Sequence, residues 1–581
     1  MWRYPEPYSL LSGMDWFRFL QLSIRYDLST LFSINLIWFW ILVFPVRYPE
    51  RFFIWVKWAF ISFNTIFLAL NAADIGFFAF NTRRLSYPAL RFLLDDSLRQ
   101  LPQLMLHYWP IPLGIGLGVW LLSRSFSKPP ASQSNGILVA LGWIFLVPGI
   151  GIAMIRNSFQ LKPLLAGEAF TLSRPEAGHA ILNTPFVLFK TFGSPEIPAE
   201  TWLTEARSNA ILKQGSEPGK SPMAGANLVL IILESFSSEY SGLERKGVSY
   251  TPFLDSLAGE GIWFPHHFAG GRTSRDALPS ILASIPAWMD ESFVTSPYVS
   301  ARFAGLGQAL KEEGYQTAFF HGGKNGTMSF DVFSRMAGFD HYFGMNEYPK
   351  PADYDGNWGI FDGPFLQFTG TNLSKMKPPF AAVIFTLSSH QPYTIPKEEE
   401  GKLPKGPLPV HQAVAYADKS LAGFFKQIKQ TTWFENTVFV LTADHTHANQ
   451  DPAYANFYGD YDVPLIIFSP KELPQMDTSR WVQHPDIAPT LKDLLLRKPE
   501  SGTRLGNSLL RSQSAWPVAF QNGTYHLMHP KGLLLWNGKE PGQGWVWSSQ
   551  KGEPEPAGLR EEMMARLQYF RLGIKFDKLL P

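Results

Sequence analysis

The sequence predicts an α/β domain, with a mainly parallel sheet between helices, carried behind a polytopic α-helical membrane domain. Three observations predict it. The chain up to about Ile155 is strongly apolar and aromatic, whereas the rest has the composition of an ordinary soluble domain. Beyond residue 225, apolar and β-branched runs recur, and four of them end on an ionisable residue. Helical patterns such as Phe303 to Glu313 and Pro409 to Ile428 lie between those runs. Strands alternating with helices indicate parallel strands covered on both faces. At 581 residues the chain exceeds what one core usually holds, so several domains are expected.

Residues 1–28 form an aromatic, mixed-charge segment, too polar to span a bilayer and without a signal-peptide cleavage pattern. A membrane domain is expected over 29–155, with spans at Ser29 to Val46, Phe52 to Asn71, Leu104 to Leu122 and Ile137 to Ile155. Each is close to the roughly 20 residues that cross a hydrocarbon core. Lys57 and His107, in or near these spans, read as snorkelling or helix-contact residues. Arg47 and Arg51 lie in one short loop, Arg124 and Lys128 in another. Placing both loops in the cytoplasm satisfies the positive-inside tendency and puts everything after Ile155 outside. The charged stretch with Arg83, Arg84, Arg91 and Arg99 then lies outside, against that tendency. So do residues 1–28, which leads to the expectation of either an external start or a further span upstream. Residues 156–224 read as a linker along the membrane surface, with amphipathic stretches such as AILNTPFVLFKTF.

The soluble part is expected as a catalytic domain over 225–513 and an extension over 514–581 of short strands and a final helix, to which no chemistry is assigned. Its strand-like runs are Asn227 to Glu234, Tyr315 to His321, Ala381 to His390 and Thr437 to His445. Carboxyl ends of parallel strands are where α/β enzymes hold ligands. Asp444 and His445, a carboxylate beside an imidazole, are a natural pair of metal ligands. The plain alternative is a capped strand end.

A nucleophile is sought next. The turn from Ala269 to Asp276, AGGRTSRD, precedes an apolar helical pattern. Glycines and hydroxyls before a helix suit a turn that presents a side chain at the helix N-terminus. Thr273 or Ser274 as a mere N-cap is the alternative. A divalent cation would lower the pKa of such a hydroxyl and polarise a phosphoryl oxygen. Glu234, Thr273, Asp444 and His445 would give an oxygen-rich set with one nitrogen, suited to Mn²⁺, Mg²⁺ or Zn²⁺. The absence of cysteine excludes disulfides, thiolate metal sites and cysteine nucleophiles. A net charge of +2 gives no sign of a nucleic-acid partner.

These residues resemble a family. Asn227 to Ser235, the Gly-Arg-Thr-Ser turn, Leu387 to Tyr393 and Ala443 to Thr446 look like lipoteichoic acid synthase and its Gram-negative phosphoglycerol transferase relatives, in the alkaline-phosphatase and sulfatase superfamily. Trp481 to Leu494, RYDLS at 25–29 and NAADIGFFAF before Arg83 are similar as well. In that family a first span precedes the RYDLS-like segment. The resemblance implies Glu234, Thr273, Asp444 and His445 as metal ligands, Mn²⁺ foremost, with Thr273 also the nucleophile. His390 would contact the substrate phosphate or serve the leaving group. The implied reaction takes a phosphoglycerol or phosphoethanolamine headgroup from a phospholipid donor, holds it on Thr273, and passes it to a glycan or lipid acceptor. The implied location is the inner (cytoplasmic) membrane, with the catalytic domain on the periplasmic or extracellular side.

The chain departs from the family twice. Pro279 falls one residue later than in related sequences, which keeps Ser274 as an alternative nucleophile. After His321 the lipoteichoic acid enzymes carry an Asp and a Trp-x-Arg group that grips glycerol phosphate, where this chain has Gly323, Met328 and Phe330. Lys324, Asn325 or the stretch 353–362 with Trp358 stand as replacements, and polymerisation of glycerol phosphate is not expected. Arg272, Ser274, His321, Lys324, Trp358 and His484 complete the substrate-binding candidates. His447, Asn449 and Asp451 read as a solvated loop, and His266 and His267 as structural or functional alike. A sulfatase would need a Cys/Ser-x-Pro-x-Arg motif, and Ser274-Arg-Asp-Ala lacks the proline. A phosphodiesterase using the same cleft and a non-catalytic binding protein are the remaining alternatives.

Overall fold

The computed structural model describes residues 11–43, 49–81, 84–87, 90, 109–125, 137–156, 164–172, 177–192, 197–213, 221–243, 249–497, 504–511, 515–549, 551–577 and 579. The chain divides into two compact units, Met1–Ile197 with Thr295–Ser300, and Pro198–Val294 with Ala301–Pro581.

In the first unit, helices Gly13–Val43, Glu50–Asn81, Pro110–Ser125 and Ile137–Arg156 stand at the four expected places. The first begins at Gly13, so residues 13–28 continue that helix and are not a separate segment. Among the described residues, one stretch is long and apolar enough to cross a membrane, Glu50–Ala72 with 23 residues. Gly142–Arg156 is a shorter apolar helix. The first helix carries Asp15, Arg18, Arg25 and Asp27 in its first half, and the third has 16 residues. His107, Arg83 and Lys128 lie outside the described residues, while Lys57 Nζ sits 5.9 Å from the Trp58 ring.

Polar groups between apolar helices need partners. Asn35 and Asn64 exchange side-chain hydrogen bonds of 3.0 and 2.7 Å, and Ser29 Oγ donates to the Ile155 carbonyl at 2.6 Å. Several described residues of the expected linker stretch pack within this unit. Tyr26 donates to the Leu165 carbonyl at 2.6 Å. Asn183 caps helix Thr184–Thr191, accepts from Thr30 at 2.9 Å and donates to Asp27 at 3.0 Å. Arg84 pairs with buried Asp74 at 2.6 Å and donates to the His179 carbonyl.

The second unit holds a seven-stranded sheet. Its strands are β1 (Asn227–Leu233), β2 (Ile262–Trp263), β4 (Gln316–His321), β5 (His341–Phe343), β6 (Phe380–Phe385), β7 (Thr437–Ala443) and β8 (Leu465–Phe468). The order is β2-β8-β7-β1-β6-β4-β5. The neighbours from β7 to β5 run parallel, and β8 is antiparallel to both β7 and β2. Strands β1, β6 and β7 are buried throughout, as their continuous apolar runs require. Helix Pro409–Ile428 has its expected bounds, and Leu306–Glu312 lies within the expected Phe303 to Glu313. Strand β6 differs from expectation, since it stops at Phe385 and leaves His390 in a turn. Buried Asp362 takes the Leu387 and Ser388 N–H groups at 2.7 and 3.0 Å, which bends the chain out of the sheet.

A short parallel pair joins β3 (His267–Phe268) to β9 (Val482–Gln483). The C-terminal stretch forms an antiparallel sheet of β10 (Val518–Gln521), β11 (Thr524–His529), β12 (Gly532–Trp536) and β13 (Trp545–Ser548), followed by helix Leu559–Phe576.

Candidate metal-centred active site

The register of the two central strands builds the site. Leu233 on β1 pairs with Ala443 on β7, so Glu234 and Asp444 leave the sheet side by side. Ser235 takes a left-handed turn at φ 56° and donates its backbone N–H to Asp444 Oδ1 at 2.7 Å. The His445 N–H donates to the same oxygen at 2.8 Å. The other carboxylate oxygen, Asp444 Oδ2, is buried with no hydrogen-bond partner among the described residues. Ser235 Oγ donates to Glu234 Oε1 at 2.7 Å. His445 Nδ1 lies 2.8 Å from the Thr446 carbonyl. That bond places the hydrogen on Nδ1 and leaves the Nε2 lone pair facing the carboxylates, 3.3 Å from Asp444 Oδ2 and 3.9 Å from Glu234 Oε1.

The ligand atoms of Glu234, Asp444 and His445 all lie within 4.8 Å of one another. Burial, and then the neighbouring Asp444, push the Glu234 carboxyl well above the usual range. Two buried carboxylates at this spacing repel each other unless a cation sits between them. An orphaned buried oxygen, a second carboxylate and an imidazole lone pair turned inward fit a divalent cation.

The nucleophile turn faces this cluster. Helix Ser274–Ala283 begins beside it, with Thr273 at the N-cap position. Thr273 is exposed, and its hydroxyl donates to Asp276 Oδ2 at 2.8 Å. Ser274 is buried, its Oγ 3.3 Å from Glu234 Oε2 and 3.4 Å from His445 Nε2. Of the two candidate hydroxyls, the structure therefore brings Ser274 to the ligand cluster and leaves Thr273 on Asp276. The turn needs glycine here. A Cβ on Gly270 would collide with Ser280, and one on Gly271 would come within 2.5 Å of the Asp276 Cβ.

The other candidates divide. His390 is partly exposed, its Nδ1 2.9 Å from the Gln391 carbonyl and its ring 4.2 Å from Trp358. Trp358 donates from Nε1 to the Gln391 carbonyl at 2.6 Å. Arg272 is held by Asp460 at 2.8 Å, close in sequence to the site but outside the ligand group. Lys324 is exposed, its Nζ 5.9 Å from the Tyr354 ring. His321 ends β4 as expected, yet it is buried against Phe330 and Phe385, with Nδ1 3.4 Å from the Phe385 carbonyl. His484 is fully buried and bonded at both ring nitrogens to backbone groups, so it reaches no substrate. His267 is also buried, which pushes its pKa down to about 4. His266 lies against Trp481.

The loop read as solvated is instead tied down. Asn449 accepts from Ser237 at 2.6 Å and donates to the Gly459 carbonyl at 2.7 Å. Glu239 takes the N–H groups of Gln450 and Asp451. His447 contacts the Tyr393 hydroxyl. Burial, followed by the nearby His445 and His390, lowers the His447 pKa. Sequence reasoning gave no role to Asp276, Tyr393 or Ser235. For Asp276 a signal existed, a carboxylate three residues after a cap residue. For the other two the sequence carries none, because their roles come from turn geometry.

The mainly parallel sheet thus brings two carboxylates and a histidine to its ligand edge, facing a hydroxyl at a helix N-terminus. Residues 226–496 match the family model described as Sulfatase. The chain is 28% identical over 333 residues to lipoteichoic acid synthase 1 of Bacillus subtilis, covering 52% of this chain and 50% of that protein. It is 27% identical over 429 residues to phosphoglycerol transferase I of Salmonella heidelberg, covering 68% of this chain and 54% of that protein. The chain thus spans about half the length of the curated relatives it matches. Among solved structures it is similar to the lipoteichoic acid synthase LtaP from Listeria monocytogenes, with TM-score 0.54 and 22% identity over 65% of this chain and 99% of that one. That likeness shows the fold.

Proposed function

We propose that the chain is a metal-dependent transferase that moves a phosphoglycerol or phosphoethanolamine headgroup from a phospholipid to an envelope glycan or lipid, through a covalent phosphoserine on Ser274. The observation that carries this reading is the Ser274 hydroxyl, 3.3 Å from Glu234 and 3.4 Å from His445 at a helix N-terminus. Glu234, Asp444, His445 and the Ser274 oxygen would hold the cation, and this donor set suits Mn²⁺, Mg²⁺ or Zn²⁺. When bound, the cation supplies positive charge to the serine and phosphoryl oxygens.

Ser274 Oγ gives up its proton to solvent and attacks the phosphorus, and the bond to the diacylglycerol oxygen breaks. N–H groups in the first turn of the helix favour the phosphoryl oxygens. His390, backed by Trp358, supplies the proton that the diacylglycerol oxygen takes. An acceptor hydroxyl, giving its proton to His390, then attacks the same phosphorus, and Ser274 leaves and takes its proton back from solvent. Thr273, engaged by Asp276, shapes the turn. Without the usual glycerol-phosphate grip, one headgroup is transferred per acceptor.

The proposal places the first unit in the cytoplasmic membrane as a multi-pass anchor and the catalytic unit outside. Four long helices and the basic residues Arg51 and Arg124 support that reading. With water as acceptor the same site would be a phosphodiesterase. Incubating the detergent-purified chain with headgroup-labelled phospholipids and each metal in turn tests the function. Diacylglycerol release from one lipid, with label passed to a glycan, supports transfer. Release with the label free in solution favours the hydrolase. No release from any lipid sinks the lipid-donor reading.

A further inference from the structure

We infer that His484 is a positioning residue: its imidazole is a two-ended clamp that sets the spacing between the Ser274 turn and the strand end carrying Asp444 and His445. The inference rests on the function proposed above for those residues. His484 Nδ1 accepts the Gly270 N–H at 3.0 Å, four residues before Ser274. His484 Nε2 lies 2.8 Å from the Ala443 carbonyl, one residue before Asp444. A carbonyl only accepts, so the hydrogen sits on Nε2 and the Nδ1 lone pair meets Gly270. Both bonds hold only for this neutral tautomer, because a second ring hydrogen would confront the Gly270 N–H. Complete burial agrees, since it lowers the pKa of His484 well below the ordinary value.

The clamp sits in a brace. Strand β9 pairs with β3, which leads directly into the nucleophile turn, and His484 follows β9 without a gap. At the far end of the nucleophile helix, Ser284 donates to the Pro485 carbonyl at 2.6 Å. Residues 482–485 therefore hold the helix near both ends. A phenyl ring fills the same space but makes neither bond. Asparagine can return an acceptor near the Nδ1 position and recover the Gly270 bond alone. A plain core histidine, more common than a clamp, would affect folding without affecting the geometry of the site. Misplacing a reacting group by about 1 Å can cost about 10²-fold in rate.

The test compares the full chain in detergent with His484→Phe and His484→Asn. The expected result for His484→Phe is a fall in kcat of about 10²-fold with KM within about twofold, and recovery of about tenfold in His484→Asn. Calorimetry with Mn²⁺ alone reads the clamp without turnover, and affinity is expected to fall about tenfold in His484→Phe. Histidine ¹⁵N resonances report one imidazole fixed in the Nε2–H form from pH 5 to 9, lost in His484→Phe. Unchanged Mn²⁺ affinity in a folded His484→Phe, or activity lost only in proportion to unfolded protein, overturns the clamp. If the parent chain releases no headgroup, the proposed reaction fails, while the Mn²⁺ and ¹⁵N measurements still decide the clamp.

Discussion

Thr273, at the N-cap, keeps an extended backbone (φ −135°, ψ 151°), whereas Ser274 is the first helical residue, and that change of backbone separates the two side chains. Thr273 is captured by Asp276 at 2.8 Å, and Ser274 is turned into the ligand cluster. Ser274→Ala is expected to lower headgroup release by at least about 10³-fold, and Thr273→Ala by about tenfold or less, in initial-rate assays at saturating metal. Equal losses would show that the two hydroxyls act together. Glu234, Asp444 and His445 were legible in the sequence because an apolar run that stops on an ionisable group marks a strand end. The phase between Thr273 and Ser274 was not legible. It depends on Asp276 competing for one hydroxyl, and a motif read by spacing cannot contain that competition. His484 was visible as a polar residue near the site, but its bonds to Gly270 and Ala443 join segments far apart in sequence.

At the scale of elements, buried carboxylates organise the turns. Asp418, on helix Pro409–Ile428, takes the N–H groups of Phe253 and Leu254 at 2.9 Å each and so caps helix Pro252–Glu260. Burial raises its pKa from the ordinary 3.8 to about 7. Between those values the folded chain holds a proton that the unfolded chain releases. Stability from this group is therefore greatest at low pH and falls as pH rises through about 4 to 7. The limit for such a shift is about 4 kcal/mol. Asp418→Asn loses an acceptor at every pH but never ionises. Its melting temperature is expected to gain on that of the parent chain between pH 5 and pH 8, and a constant difference would contradict this. Strands β1, β4, β6 and β7 were legible from their apolar runs, apart from the end of β6, whereas the short strands β2, β5 and β8 were not read. There a single carboxylate, Asp362, turns the chain, and no local pattern at 381–390 announces it.

For the whole molecule, the cation and the membrane are the external partners of the account. A cation that binds only the folded chain at about 100 times its Kd adds about 2.7 kcal/mol. Chelation is therefore expected to lower the melting temperature by several degrees, and by much less in Asp444→Asn. The chain has no cysteine, so single introduced thiols report sidedness cleanly. In spheroplasts, an impermeant maleimide is expected to label Lys471→Cys and not Arg124→Cys until the membrane is opened. The split in composition lies near Ile155, whereas the two compact units divide at Ile197 and Pro198, a boundary no composition change marks. The packing of residues 164–172 and 177–192 within the helical unit was not legible, since it rests on polar contacts between distant segments, such as Asn183 with Thr30 and Asp27.

The measurement closest to the central claim is direct mapping of the covalent intermediate. The chain is mixed with headgroup-labelled phospholipid and metal, quenched in acid and digested, and the peptide spanning Arg272 to Arg275 is fragmented. The account predicts the phosphorylated headgroup on Ser274. Label on Thr273, or turnover with no labelled peptide, would contradict it.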